Sequence, residues 1–371
     1  MLMKLIRSII PYGIYEIIHR KRHKNFFLEE FDDYIKQVRK IDNPNTNDII
    51  DNNFKQIVSV QGLGFSGSGA ILDLLCEVDD CYVMGKDENA IVIGNDHKGA
   101  FEVEFLRLAG GLFELEKYID SDNIFQNDAM ANRFISCINA FPLFQNDRKV
   151  RVIFYDFFES ILDLEISDVV GTPFNPYLYD RIDTCHIFFF KKMSISSFRL
   201  QCKKLLLRLF NYLNSDKKSY IVLDQFLQDN TLDISKFHDY VPDSKIILCY
   251  RDPRDVYQFA LDNNIGWIAH DNADHFVKWY KQLTRNVNIN AKEYLVIQFE
   301  NLVFDYENQV EKILSFLDIS KKAHNPSLKR TFFNPDISKQ NIGLWKKEGN
   351  QQTDFKYILS QLKDYCYFET N

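Results

Sequence analysis

Residues 55–77, KQIVSVQGLGFSGSGAILDLLCE, decide the fold. They open with Ile57-Val58-Ser59-Val60, a short β-branched run with an apolar bias that reads as a buried strand. Gly62, Gly64, Gly67 and Gly69 follow, interleaved with Ser66 and Ser68. Ala70 to Leu75 then places apolar residues at helical spacing. A strand, a glycine-rich turn and a helix make a phosphate cradle. The glycines let backbone N–H groups turn inward and approach an anion closely. The helix start adds its free N–H groups and the positive end of its dipole.

The stretch alone admits more than one cradle. Gly62-x-Gly64-x-x-Gly67 matches the dinucleotide fingerprint, with Asp87 at a suitable distance for a ribose contact, which reads as an NAD-binding Rossmann enzyme. Gly62 to Ser68 also comes close to a P-loop, but Ser66 and Gly67 stand where its lysine belongs, so no Walker lysine is present. A tight strand-to-helix turn holding no ligand is the plainest reading.

Outward from this stretch, the chain has 371 residues, 46% of them hydrophobic, enough for one large core or two modest ones. Its net charge of −7 argues against nucleic acid as a partner, and 32 Phe with 19 Tyr argue against disorder. The seven cysteines (76, 81, 137, 185, 202, 249, 366) form no CxxC pair, and this odd, scattered set fits a reducing, cytoplasmic setting. Cys76, Cys81 and Cys249 read as plain core residues. No apolar run is long enough to span a bilayer, and no His/Cys/Asp cluster has metal-ligand spacing.

Residues 1–25 differ from the rest. Lys4, Arg7, Arg20, Lys21, Arg22 and Lys24 outweigh Glu16, with Leu2, Leu5, Ile9 and Ile10 between them. The basic residues follow the apolar stretch, which does not suit a signal peptide. The segment reads either as a basic amphipathic element lying on the anionic inner face of the membrane, a peripheral contact, or as an ordinary helix packed on the domain. Residues 26–55 read as a helix and a linker ending in Asn43-Pro44-Asn45-Thr46-Asn47.

Tyr82-Val83-Met84 reads as a second strand. From Leu115 to Asp216 the pattern is helical and loop-like, and Lys203, Lys204 and Arg208 read as the solvated face of a leucine-rich helix over 199–214. Residues 219–350 alternate: strands at Ser219–Leu223, Lys245–Tyr250 and Tyr294–Phe299, and helices after Pro253, over Ala273–Asn290 and over Asn308–Leu317. Strands spaced by helices predict an α/β fold, a three-layer α/β/α arrangement around a mainly parallel sheet with ligands at the carboxyl ends of its strands.

At one of those ends stands Tyr250-Arg251-Asp252-Pro253-Arg254-Asp255-Val256-Tyr257. Asp252 can cap a helix that starts at Pro253. Arg251 then projects at the strand end, and its planar, permanently charged fork suits a phosphate. A surface Arg–Asp pair at a helix start is the alternative.

These motifs resemble the sulfotransferases that use 3′-phosphoadenosine 5′-phosphosulfate (PAPS), of bacterial type. The resemblance rests on the strand–glycine/serine loop–helix, the later RDPRDVY-like strand end, Gln298-Phe299-Glu300-Asn301-Leu302-Val303 followed by Val310 to Leu317, and Ile342-Gly343-Leu344-Trp345-Lys346. It covers roughly 55–112 and 219–350. It implies a P-loop-like nucleotide-binding core and one domain over 26–371, with 115–240 as a helical insertion on the acceptor side. The backbone of Gly64, Phe65, Ser66, Gly67, Ser68 and Gly69, with the Ser66 and Ser68 hydroxyls, would hold the 5′-phosphosulfate. Arg251 would hold the 3′-phosphate with help from Lys339, and the loop of Gly343, Trp345 and Lys346 would close over adenosine 3′,5′-bisphosphate, the product. Glu102, upstream of Gly110-Gly111-Leu112, is the first candidate base, with Glu104 and Asp87 next. The family needs no metal. The acceptor would be a hydroxyl on a small molecule or a cell-surface glycan.

Two positions depart from the family pattern. Phe65 stands where a basic residue usually precedes the loop serine, and Phe259 where a serine usually lies eight residues after the motif arginine. Loop N–H groups, Lys86, Lys98 or Arg107 would have to supply the missing charge. If none does, the chain is a nucleotide-binding or scaffold protein without turnover.

Overall fold

The computed structural model describes residues 53–84, 108, 111–121, 130–131, 134, 138, 147–165, 187–227, 234–241, 244–347 and 352–368. The chain falls into two compact units, one drawn from residues 1–50 and 114–209, the other from 51–113 and 210–371.

Among the described residues the second unit carries a five-stranded sheet. Its strands are β1 (Gln56–Gly62), β2 (Cys81–Val83), β5 (Tyr220–Asp224), β6 (Lys245–Tyr250) and β7 (Leu295–Gln298), in the order β2-β5-β1-β6-β7. Every neighbouring pair runs parallel, and β6 pairs with β7 from Ile247↔Leu295 to Tyr250↔Gln298. Consecutive residues of β1, β5 and β6 are buried whichever way they point. Both sheet faces are therefore covered, as a parallel sheet with crossover helices requires. This is the expected three-layer architecture.

The strand order bears on the cradle. In the dinucleotide fold, with its order 3-2-1-4-5-6, the second strand lies beside the first. Here, among the described strands, β2 sits at the edge, and β1 is flanked by β5 and β6. The connection from β1 to β2 runs to one side of β1 and that from β6 to β7 to the other, so the order reverses between β1 and β6, at the carboxyl end where the glycine loop begins.

The loop runs into α1 (Ser68–Leu75). Ile71, Leu72, Leu74 and Leu75 of α1 join Val58, Val60, Val222, Ile247 and Ile297 in one buried cluster. Each such side chain contributes roughly 1.5–3 kcal/mol on burial. The same cluster takes in Leu302 of α7 (Phe299–Phe304) and Ile313 and Leu314 of α8 (Tyr306–Phe316). A short helix, α4 (Ile234–Tyr240), stands between β5 and β6 in the chain and buries Phe237 and Tyr240. A second cluster joins α5 (Pro253–Asn263), α6 (Ala273–Leu283) and α10 (Gln352–Gln361) through Val256, Tyr257, Phe276, Tyr280, Phe355 and Ile358.

The first unit contains α2 (Arg148–Ile161), capped by Asp147, whose side chain accepts from the Lys149 and Val150 amides. Phe134 packs edge to face on Phe157 and Phe158 of this helix. An antiparallel pair, β3 (Leu162–Glu165) with β4 (Ile187–Phe190), lies in a region read from sequence as helix and loop. Arg208, on α3 (Ile195–Leu213), is not on a solvated face: it is largely buried and donates to Asp156 at 2.8 Å. Arg199 on the same helix grips Glu116 through two nitrogens, at 2.8 and 2.9 Å. Among the described residues no helix is long and apolar enough to cross a membrane.

Candidate active site

The glycine loop and the strand-end arginine meet at one cavity of about 750 Å³, lined at its floor by Gly64, Phe65, Gly67, Ser68, Gly69 and Ala70. Gln225 after β5, Arg251 after β6 and Phe299 after β7 also face it. The cavity thus lies at the carboxyl ends of four parallel strands, where open α/β sheets bind ligands.

The loop needs glycine at specific places. Gly67 caps α1 with φ +88, and a Cβ there would lie 2.3 Å from the Phe299 ring. A Cβ on Gly62 would lie 2.6 Å from Ser66 Oγ and 2.7 Å from Ser68 Oγ. A Cβ on Gly69 would meet nothing within 4 Å, so the chain approaches open space there, as an anion cradle requires.

The two serines part company. Ser66 is buried, and its Oγ accepts from the Leu63 amide at 3.0 Å, stapling the loop rather than facing the cavity. Ser68 lines the cavity at the start of α1. The Ser66 carbonyl faces the Cys249 thiol at 3.2 Å. Cys249 is a core residue, as read; burial pushes its thiol well up, which leaves it inert. Cys81 is buried too, whereas Cys76 is only partly so.

Arg251 is 5% exposed. It donates to the Asn341 carbonyl and, at 3.5 Å, to the Phe65 carbonyl. Its guanidinium sits 5.7 Å from the Phe299 ring centre. Its buried Nε finds no partner among the described residues. Burial lowers its pKa, while Asp255, Glu300 and Asp252 oppose that. A buried cation with an unspent donor at a cavity floor invites an anion. The residues therefore fit a phosphate-bearing ligand. Arg251 and Arg330 are the cationic side chains on the cavity among the described residues, against one carboxylate, Asp73.

The two departures from the family pattern touch each other. The Phe65 and Phe259 rings lie 4.9 Å apart, and Phe65 stacks on Trp267 at 5.1 Å with the planes 20° apart. Phe65 has φ +45, an uncommon conformation for a bulky residue. Sequence reading singled out both phenylalanines but not their contact.

The expected closing loop lies elsewhere. Asp252 caps α5 as read, accepting from the Arg254 amide at 2.9 Å. Asp255 in the first turn accepts from the Gly343 amide at 2.8 Å and the Trp345 amide at 3.3 Å. Burial raises the Asp255 pKa, and Arg251 and these amides oppose it. The Arg254 guanidinium lies 3.9 Å over the Trp345 ring. Gly343, Trp345 and Lys346 line a separate cavity of about 280 Å³ with Asp252, Asp255 and Glu300. Lys339 pairs with Asp336 at 2.7 Å and is half exposed. Glu102, Glu104, Asp87, Lys86, Lys98 and Arg107 lie outside the described residues.

Sequence reading missed one wall of the cavity, Arg330-Thr331-Phe332-Phe333-Asn334 with Ile337. Asn334 before Pro335 was a legible helix start, and Asn334 does cap the short helix α9 (Pro335–Ser338), accepting from the Asp336 amide at 3.0 Å.

Residues 184–323 match the model of the sulfotransferase family, which bears out the resemblance read in the motifs. The match includes β5, β6 and β7 with Arg251, and not the glycine loop. Among solved structures the chain is similar to sulfotransferase STF9 from Mycobacterium avium, at 12% identity over 85% of this chain and 78% of that one, TM-score 0.38. It is also similar to sulfotransferase STF1 from Mycobacterium tuberculosis H37Rv, at 9% identity over 78% and 77%, TM-score 0.34. Among curated proteins none matches.

Proposed function

We propose that this chain, sulfotransferase-family sequence over residues 184–323, transfers a sulfuryl group from PAPS to an acceptor hydroxyl on a small molecule or a glycan. The observation that carries the reading is the convergence of the Gly64–Gly69 loop and Arg251, with its unspent buried Nε, on one cavity. A volume of about 750 Å³ suits a nucleotide-sized ligand. The edge position of β2 speaks against the dinucleotide fold and so against NAD.

PAPS would supply the activated sulfuryl group. The N–H groups at the start of α1 would hold its phosphosulfate oxygens, and Arg251 a further phosphate. By analogy with phosphoryl transfer, catalysis is mainly positioning and charge stabilisation. Glu102 is the first choice to take the acceptor proton, with Glu104 and Asp87 behind it. A carboxylate with its usual pKa of about 4.3 is ionised at neutral pH and ready to do so.

A second reading is nucleotide binding without turnover. The Phe65–Phe259 contact favours it, because it fills with aromatic carbon two places where the family pattern has a basic residue and a serine.

Calorimetric titration with PAPS, adenosine 3′,5′-bisphosphate, NAD and ATP, beside an assay for adenosine 3′,5′-bisphosphate formed from PAPS in the presence of hydroxyl acceptors, tests both. Binding of the first two, weakened roughly 10- to 150-fold by Arg251→Ala, supports the cavity. Turnover reduced about 10²- to 10⁴-fold by Glu102→Gln at unchanged nucleotide affinity supports the base. Binding with no turnover on any acceptor selects the second reading, and preference for NAD overturns both.

A further inference from the structure

Just past α1, at the end of the 55–77 stretch, stands a fully buried acid to which the cradle gives no role. Glu77 is 0% exposed. Its Oε1 accepts from the Phe332 amide at 3.0 Å and the Phe333 amide at 3.1 Å. Its Oε2 accepts from the Arg330 amide and from His324 Nε2, each at 3.0 Å. The Glu77 carbonyl also accepts from the Asn325 amide at 2.9 Å. Both carboxylate oxygens are thus spent on a loop some 250 positions later in the chain.

That loop is the cavity wall. Arg330, Phe332 and Phe333 line the cavity together with the α1 residues Ser68, Gly69 and Ala70. Arg330 has φ +62, and no helix or strand contains residues 325–333. Three amides of this irregular loop would be left without partners were Glu77 removed, and a buried carboxylate is tolerable only when satisfied in this way. Phe332 stays 47% exposed although its amide is held, so an aromatic ring is presented to the cavity on a fixed backbone. The helix whose first turn forms the phosphate floor is followed directly by the residue that fixes this wall.

We propose that Glu77 is a positioning residue that shapes the wall contacting the part of a nucleotide beyond its phosphate, without taking part in the phosphate cradle. This rests on the reading of the cavity as a nucleotide site.

The test is Glu77→Gln in the full chain, followed by amide hydrogen exchange and by calorimetry with adenosine 3′,5′-bisphosphate and inorganic pyrophosphate. The amide nitrogen of Gln would face two N–H donors and release them. The expected result is exchange at Arg330, or at Phe332 and Phe333, faster by about tenfold or more. Affinity for the nucleotide should fall about tenfold or more, while that for pyrophosphate shifts by less than about threefold. Equal weakening of both ligands by a folded Glu77→Gln protein would overturn the proposal, as would unchanged exchange. Should Glu77→Gln not fold, Phe332→Ala must weaken the nucleotide and spare pyrophosphate; equal effects on the two overturn the idea. If the unmodified chain binds no nucleotide, the functional reading itself fails and takes this inference with it. If it binds and Glu77→Gln changes nothing, only this inference fails.

Discussion

Phe65 holds a left-handed backbone, a conformation costing of order 1–3 kcal/mol that persists only where its surroundings dictate it. Here Phe259 and Trp267 clasp its ring, and Arg251 holds its carbonyl. Two residues on, Gly67 is bound by both φ and space. Gly67→Ala should cost roughly 2–4 kcal/mol in urea unfolding, from the strained φ and the collision with Phe299. Gly69→Ala is its counterpart: stability should hold or rise by up to about 1 kcal/mol, since the methyl meets nothing, while ligand affinity falls. A Gly67→Ala protein as stable as the parent would show that the loop rearranges freely. Glu300 adds a dependence on pH. It is wholly buried, and Oε1 accepts from the Asp252 amide at 2.9 Å, while Oε2 finds no partner among the described residues. Burial pushes its pKa up to about 7, against 4.5 for the free side chain. The fold therefore favours the neutral acid. Its contribution is complete below pH 4.5 and is lost as pH rises through 7, by about 3 kcal/mol at most. Glu300→Gln should flatten stability between about pH 5 and pH 8 relative to the parent. Parallel pH profiles for the two proteins would mean that Glu300 titrates normally.

At the scale of elements, α5 works as an anchor for the end of the chain. Asp255 holds two amides of the Gly343–Lys346 turn, and Asp252 accepts from the Tyr367 amide at 3.0 Å. Asp255→Ala should cost roughly 2–4 kcal/mol, the loss of two backbone hydrogen bonds to a charged acceptor. Trypsin cleavage at Lys346 and Lys347 should quicken in parallel; unchanged cleavage would show that Arg254 over Trp345 is anchor enough. The strands of the sheet and the cap at Asp252 were legible because each is set by neighbours in sequence: apolar runs, then Asp-Pro. Where partners are distant, legibility ends. The helix expected over Ala273–Asn290 stops at Leu283, where Thr284 N and Oγ1 both turn back to the Tyr280 carbonyl, at 2.9 and 2.8 Å. The β3–β4 pair joins two strands of four residues each across a long connection, and strands so short do not show a period of two above noise. Arg330–Phe333 carries no helix or strand pattern at all, because its shape comes from Glu77. The glycine loop and Arg251 could be read singly, but their meeting depends on β1 and β6 being neighbours. Nothing local specifies that pairing.

Over the whole molecule, charge is unevenly spread. The chain carries −7, while residues 1–25 carry six Lys/Arg against Glu16, a local +5 that leaves −12 on the remaining residues. An anionic surface would attract the first segment and repel the rest, so any membrane contact should be made through residues 1–25 and hold the acidic body outward. Each basic residue near such a surface contributes about 1 kcal/mol, screened within a Debye length of roughly 10 Å at about 0.1 M salt. Leu2, Leu5, Ile9 and Ile10 would add burial in the headgroup region. Co-sedimentation should therefore show the full chain pelleting with phosphatidylserine-containing vesicles at low salt, far less at about 0.5 M salt, and little with neutral vesicles at either. Removing residues 1–25 should abolish pelleting and leave thermal unfolding of the sheet unit unchanged. Replacing the six basic residues by Gln should abolish it too, whereas replacing the four apolar ones by Ser should weaken it and steepen its salt dependence, because only the electrostatic share remains. Pelleting that survives the deletion would place the contact on the body of the protein, against its charge. Pelleting that survives high salt but not the Ser replacements would make the segment an apolar anchor, with its lysines and arginines merely hydrated.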